Sequence, residues 1–91
     1  MAITVEFFGI PRVRAGLERV VVLPNRSSAM LSEILEHVAS QLPTFADACM
    51  TNNKLDDHYL VSLDGEEFIH EGDALIEENR TIYILSADAG G

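Results

Sequence analysis

Three histidines, one cysteine, three adjacent acidic pairs and a closing pair of glycines are the residues of this 91-residue chain whose types could do chemistry. His37 sits beside the apolar stripe of a helical segment, whereas His58 and His70 fall in loop-like stretches, and no two of them have the spacing of metal ligands. Cys49 has no CxxC partner and reads as a small apolar side chain; as a nucleophile it would need a histidine brought near in space. The pairs Asp56-Asp57, Glu66-Glu67 and Glu77-Glu78 all stand at turns, where solvated charge is expected. Gly65 and Gly72 are isolated, without the Lys-Ser or Lys-Thr sequel of a phosphate loop. An active site belonging to this chain alone is therefore not expected, nor is a metal site.

Gly90 and Gly91 are different. Glycine buries no side chain and loses the most backbone entropy on ordering, so a terminal pair is expected to move. Such a thin segment can enter a cleft that a branched residue could not, and it presents one reactive group, the Gly91 α-carboxylate. The two glycines alone fit a frayed end equally well.

What must position that group is the preceding chain. Ile3 to Gly9 alternates, with Ile3, Val5 and Phe7 on one side and Thr4, Glu6 and Phe8 on the other, as a strand with one face in the core does. Gly9-Ile10-Pro11 and Arg14-Ala15-Gly16 break it, and Leu17 to Leu23 returns as the second strand of a long-looped hairpin. From Met30 the period changes: Leu31, Ile34, Leu35, Val38 and Leu42 make one helical stripe, with Ser27 or Ser28 as cap and Pro43 as stop. Phe45, Ala46, Cys49 and Met50 suggest a short apolar turn against the core, and Thr51 to His58 an exposed loop. Tyr59 to Leu63 is a third strand, Asp64-Gly65 a hairpin turn and Glu66 to Ile69 the returning strand. Ala74 to Ile76 reads as a single helical turn, and Thr81 to Leu85 as the last strand.

These elements form an α+β roll, in which the helix can bury its stripe only against the apolar sheet face. With the last strand beside the first and parallel to it, Ile82 and Ile84 lie under the helix, and Phe8, Tyr83 and Leu85 share the uncovered face. There they are either scattered surface hydrophobics or a docking patch beside the tail.

Composition narrows the partners. Fifteen acidic against six basic residues give a formal charge of −9, which repels nucleic acid and anionic membrane surfaces and favours basic protein partners. Arg12, Arg14 and Arg19 are half of the basic residues. No run has the length of a membrane span, and the first residues lack a secretory pattern, so a cytoplasmic location is expected.

Val5-Glu6-Phe7-Phe8-Gly9 with Arg12 and Arg14-Ala15-Gly16, the Leu31-to-Leu42 helix and the Gly90-Gly91 end together resemble the ubiquitin-like sulfur-carrier family, which includes the molybdopterin synthase small subunit and the thiamine sulfur carrier. The resemblance implies a β-grasp fold: a mixed sheet of four or five strands covered on one face by one main helix, over 1–85, with a flexible tail over 86–91. It implies that a ubiquitin-activating-like adenylyltransferase joins the Gly91 carboxylate to AMP from ATP, and that a sulfur donor protein converts it to a thiocarboxylate. Gly90 then gives access to the partner's active site, and Phe8, Tyr83, Leu85 and Asp88 contact that partner or a larger synthase subunit. No cofactor is bound by this chain, which acts as a protein cosubstrate rather than an enzyme. Molybdopterin, thiamine, cysteine, thio-modified RNA and secondary metabolites are all open destinations for the sulfur. Ser86, Ala87 and Asp88 stand where many molybdopterin-synthase small subunits carry prolines and an apolar residue, so this tail is looser and more acidic. A protein modifier joined to lysines through Gly91, and a β-grasp interaction module, are the alternatives.

Overall fold

Ile3, Val5 and Phe7 are completely buried while Thr4 and Glu6 between them are not, so the first stretch is the one-sided strand its alternation requires. The computed structural model describes residues 2–87. In chain order these form β1 (Ile3–Phe7), α1 (Ile10–Ala15), β2 (Arg19–Val22), β3 (Ser28–Met30), α2 (Leu31–Gln41), α3 (Pro43–Cys49), β4 (Met50–Thr51), β5 (Lys54–Leu55), β6 (Tyr59–Leu63), β7 (Glu67–Ile69), β8 (Leu75–Glu77) and β9 (Thr81–Ser86). Five strands make one mixed sheet in the order β2-β1-β9-β6-β7, and only β1 and β9 run parallel within it. Leu31, Ile34, Leu35 and Val38 of α2 pack in one cluster with Ile3, Val5, Ile82 and Ile84 of the sheet. Each such side chain contributes about 1.5–3 kcal/mol on full burial. The expected β-grasp roll, with one main helix over one sheet face, is the observed fold.

Several local expectations are corrected. The break after β1 contains a helix, because Pro11 occupies its first turn, where the missing N–H costs nothing, and Gly16 closes it at φ 76° with its N–H on the Arg12 carbonyl, 2.9 Å away. Neither Ser27 nor Ser28 caps α2. Its first amides donate instead to carbonyls from the β7–β8 connection, Leu31 to Ala74 at 2.9 Å and Ser32 to Gly72 at 2.8 Å, while Glu33 accepts from the Met30 N–H at 2.8 Å. A Cβ on Gly72 would lie 3.4 Å from the Ser32 Cβ, at van der Waals contact. Residues 74–76 are not a helical turn: Ile76 alone points inward, and Leu75–Glu77 pairs antiparallel with Ser28–Met30.

The stretch from Thr44 to His58 folds as α3 and a small hairpin rather than as turn and loop. Phe45 and Cys49, four residues apart, bury one face of α3, and the Phe45 ring meets Phe7 edge-on at 5.1 Å. Asn52 and Asn53 both have positive φ, the backbone of a two-residue hairpin, which joins β4 to β5.

Candidate functional site

The site is built around β9, the central strand. Ile82 and Ile84 face the helix, so Thr81, Tyr83 and Leu85 face the uncovered side of the sheet. Tyr83 lies opposite Glu6 on β1 and Ser62 on β6, and Leu85 lies opposite Leu60. Phe8 follows β1 and stays attached to β9 through its N–H, which donates to the Ile84 carbonyl at 2.9 Å. The Phe8 and Tyr83 rings come to 5.4 Å, tilted by 42°. Phe8, Tyr83 and Leu85 are thus brought onto one face beside the end of β9.

Three further residues belong to this face and escaped the sequence reading. Leu60 extends it from β6; its signal is in the sequence, because Val61 and Leu63 inward put Leu60 outward. Phe68, opposite Ser62 on β7, is 55% exposed and has no such periodic signal in a three-residue strand. Arg12 donates from Nε to the Phe7 carbonyl at 2.9 Å, which holds its guanidinium 5.2 Å above the Phe8 ring. That contact follows from α1, which sequence breaks had hidden. Phe8 itself is 40% exposed, so the patch presents both aromatic and aliphatic surface to solvent.

The root of the tail is fixed. Ser86 still pairs with Tyr59 in the sheet, and the Ala87 N–H donates to the His58 carbonyl at 2.7 Å. Ordered pairing therefore runs past the expected boundary at residue 85. Asp88, Gly90 and Gly91 lie outside the described residues.

The other candidate groups do not assemble. His37 is exposed on α2 with its Nε2 3.0 Å from the Gln41 side-chain amide, and among the described residues no three His, Cys, Asp or Glu side chains gather as a metal site. Cys49 is buried, and burial pushes its thiol above the ordinary range despite a hydrogen bond from the Tyr59 hydroxyl. A thiol that resists ionisation is a poor nucleophile. Asp64 does structural work at the hairpin turn: its carboxylate accepts the Thr81 N–H at 3.0 Å and pairs with Arg80. Those two bonds hold its carboxyl below the usual range.

No family model and no curated protein matches this sequence. Solved structures do. Small archaeal modifier protein 1 of Haloferax volcanii shares 20% identity over 100% of both chains with a TM-score of 0.81. A chain of the Amycolatopsis orientalis BexX/CysO complex shares 27% identity over 99% of this chain and 100% of its own, with a TM-score of 0.72. The complex of subunits 1 and 2 of the molybdopterin-converting factor from Helicobacter pylori contains a chain that is 16% identical over 100% of both, with a TM-score of 0.64. By sheet order, helix placement and likeness along its whole length, the chain has the ubiquitin-like β-grasp fold and is structurally similar to a small archaeal modifier protein and to chains of the BexX/CysO and molybdopterin-converting factor complexes.

Proposed function

We propose that this chain is a sulfur carrier, a protein cosubstrate that works through its glycine tail. A ubiquitin-activating-like partner joins the Gly91 carboxylate to AMP from ATP and releases pyrophosphate; a sulfur donor then displaces AMP and leaves a thiocarboxylate. A free carboxylate is a poor electrophile, and the acyl adenylate supplies the leaving group it lacks. Gly90 and Gly91 carry no Cβ, so both can lie in a narrow catalytic channel. ATP belongs to the partner, and the sulfur passes on to a biosynthetic intermediate. Molybdopterin is one such destination, supported by the likeness to a chain of the molybdopterin-converting factor complex.

The observation that carries this reading is that the central strand of the β-grasp sheet ends at Ser86 beside the patch of Phe8, Tyr83 and Leu85, and that the sequence runs on from there to Gly90-Gly91. The patch is the docking surface for the activating partner or for a larger synthase subunit, and Asp88 of the tail sequence is a further contact for that partner. The test is the intact mass of the protein after incubation with candidate activating enzymes, ATP and a sulfur donor. A gain equal to sulfur replacing one oxygen, absent when Gly91 is deleted, is the expected result. Absence of both that gain and ATP-pyrophosphate exchange with every candidate would refute the proposal.

The likeness to a small archaeal modifier favours a second reading, in which the same adenylated carboxylate forms an isopeptide bond with a substrate lysine. Conjugates of higher mass that survive denaturation and thiol would support it over the carrier.

A further inference from the structure

On the helix side of the sheet, α2 packs over β1 and β9, and a cleft of about 470 Å³ opens where α2, β5, β6 and β7 meet. Its apolar wall is Leu31 and Leu35 of α2, Leu55 of β5, Tyr59 and Val61 of β6, and Ile69 of β7. Leu55, Tyr59 and Ile69 are only half-buried, so apolar surface that the core does not consume faces the cleft. Both rims are fixed by backbone hydrogen bonds. On one, the Ser32 N–H donates to the Gly72 carbonyl at 2.8 Å and the Leu31 N–H to the Ala74 carbonyl at 2.9 Å. On the other, the Asp56 N–H donates to the Cys49 carbonyl at 2.9 Å and the Tyr59 N–H to the Asp56 carbonyl at 3.0 Å. A cleft with fixed rims loses little to reorganisation when it is filled, and this one falls within the range of about 300–1,000 Å³ usual for ligand sites.

The rims carry the charge that selects an occupant. Asp56 and Asp57 line one side together with Lys54, while His70 and Gly72 line the other, with Glu71 between them and Asp73 next in the chain. Ile69 lies opposite Val61, so Glu67, two residues earlier on β7, stands on the same sheet face. Five carboxylates thus flank the cleft against the single ammonium of Lys54. Among the described residues Asp57, Glu67, Glu71 and Asp73 have no ion pair and no side-chain hydrogen bond, and Asp56 accepts the Thr51 hydroxyl at 2.8 Å. Their charge is uncompensated, and the field at the cleft favours a cation. The carboxylates stand on both sides of the apolar wall. An occupant that meets all of them therefore has basic groups on either side of an apolar centre, which a peptide chain supplies and a small amine does not. A second copy is a poor occupant, because two chains of formal charge −9 repel each other.

We propose that this cleft receives a basic-apolar segment of a partner protein. Its bulky apolar side chains cover Leu55, Tyr59 and Ile69, and lysines or arginines on either side meet Asp57 at one rim and Glu71 and Asp73 at the other. The cleft lies on the face of the sheet opposite Phe8, Tyr83 and Leu85, so the proposal is independent of the sulfur-carrier reading, and both faces can be occupied at once.

The probe is the peptide acetyl-Lys-Lys-Leu-Ser-Phe-Lys-Lys-amide, titrated into the isotopically labelled full chain and followed by amide chemical shifts. Saturable shifts are expected at Leu55, Ile69 and Gly72. Replacing the peptide's leucine and phenylalanine by serine is expected to weaken binding at least tenfold, and replacing its lysines by glutamates to abolish it. Asp57→Lys and Glu71→Lys change exposed side chains; each is expected to weaken binding at least threefold with the melting temperature nearly unchanged. Lys54→Glu removes the one opposing charge and is expected to tighten binding at least twofold. No saturable binding at millimolar peptide, equal affinity for the serine peptide, or shifts centred on Phe8, Tyr83 and Leu85 would overturn the proposal. So would octylamine binding as tightly as the peptide, since the occupant would then be a small amphiphile. A dimeric sedimentation mass of the peptide-free protein that Asp57→Lys abolishes would overturn it in favour of a second copy.

Discussion

Replacing Phe45 with alanine tests whether α3 is part of the core or only rests on it. Phe45 is 0% exposed and meets Phe7 edge-on, with ring centroids 5.1 Å apart and planes at 61°. Truncating a buried phenylalanine costs about 3–5 kcal/mol, of which an aromatic pair accounts for about 0.5–1.5 kcal/mol. At roughly 0.05–0.15 kcal/mol per residue, a chain of this size is stable by about 5–14 kcal/mol, so the substitution removes a large share. A domain this small melts about 4–8 °C lower per kcal/mol, and a fall of at least ~12 °C is expected. Urea unfolding followed by far-ultraviolet circular dichroism measures the change directly, with the midpoint shifted and the slope retained. Phe7→Leu, Phe45→Leu and their combination then isolate the ring contact, with a coupling of about 0.5–1.5 kcal/mol. A loss below about 1 kcal/mol for Phe45→Ala would refute the assignment of α3 to the core.

Asp64→Asn reads the turn before β9 through pH. The carboxyl is held low by the Thr81 N–H first and the Arg80 guanidinium second, so its folded pKa lies below its unfolded one. The stability this gives is complete above the unfolded carboxyl range, about pH 4, and is lost as pH falls through the folded pKa. The wild-type chain is therefore expected to melt higher than the asparagine variant at neutral pH, with the gap closing in acid; a gap that persists unchanged below pH ~2 would count against the linkage. Cys49 is expected to react with iodoacetamide much more slowly in the native chain than in urea, because burial raises its pKa and blocks access. Equal rates in the two states would show that α3 opens freely.

The elements legible in the sequence are those long enough to repeat a pattern. β1, α2, β6 and β9 each show a period, and β1, β6 and β9 show the alternation that places Phe8, Tyr83 and Leu85 on one face. β3 and β8 are three residues each and are specified by one another across a long separation in sequence, so neither has a local signature. α1 was obscured because Pro11 and Gly16, taken as breaks in a strand, are also the residues that open and close a short helix. The position of Arg12 over Phe8 depends on the turn of α1 and not on residue spacing, so it has no signature in the sequence. The α2 start was misassigned for a related reason: nearby serines are good local caps, but a distant backbone segment supplies the partners.

The position of β9 has a mechanical consequence for the tail. Because β9 lies between β1 and β6 and pairs with both, Tyr83, Leu85 and the root at Ala87 belong to one rigid body with Phe8 and Leu60. A partner that engages the patch therefore receives the root at a fixed place, while the residues after Ala87 set how far the carboxylate can extend. Gly91 lies six residue steps beyond Leu85, and a fully extended chain of that length spans at most about 22 Å. Under the proposed function, a partner centre that uses Gly91 would have to lie within that distance of the surface that meets Leu85. Lengthening the segment after Ala87 would leave the patch intact but spread the carboxylate over a larger volume, lowering its effective concentration at the partner's centre. In the proposed carrier, docking and reaction would thus be carried by separable parts of the chain, the first by side chains on a paired strand and the second by a backbone that has almost none.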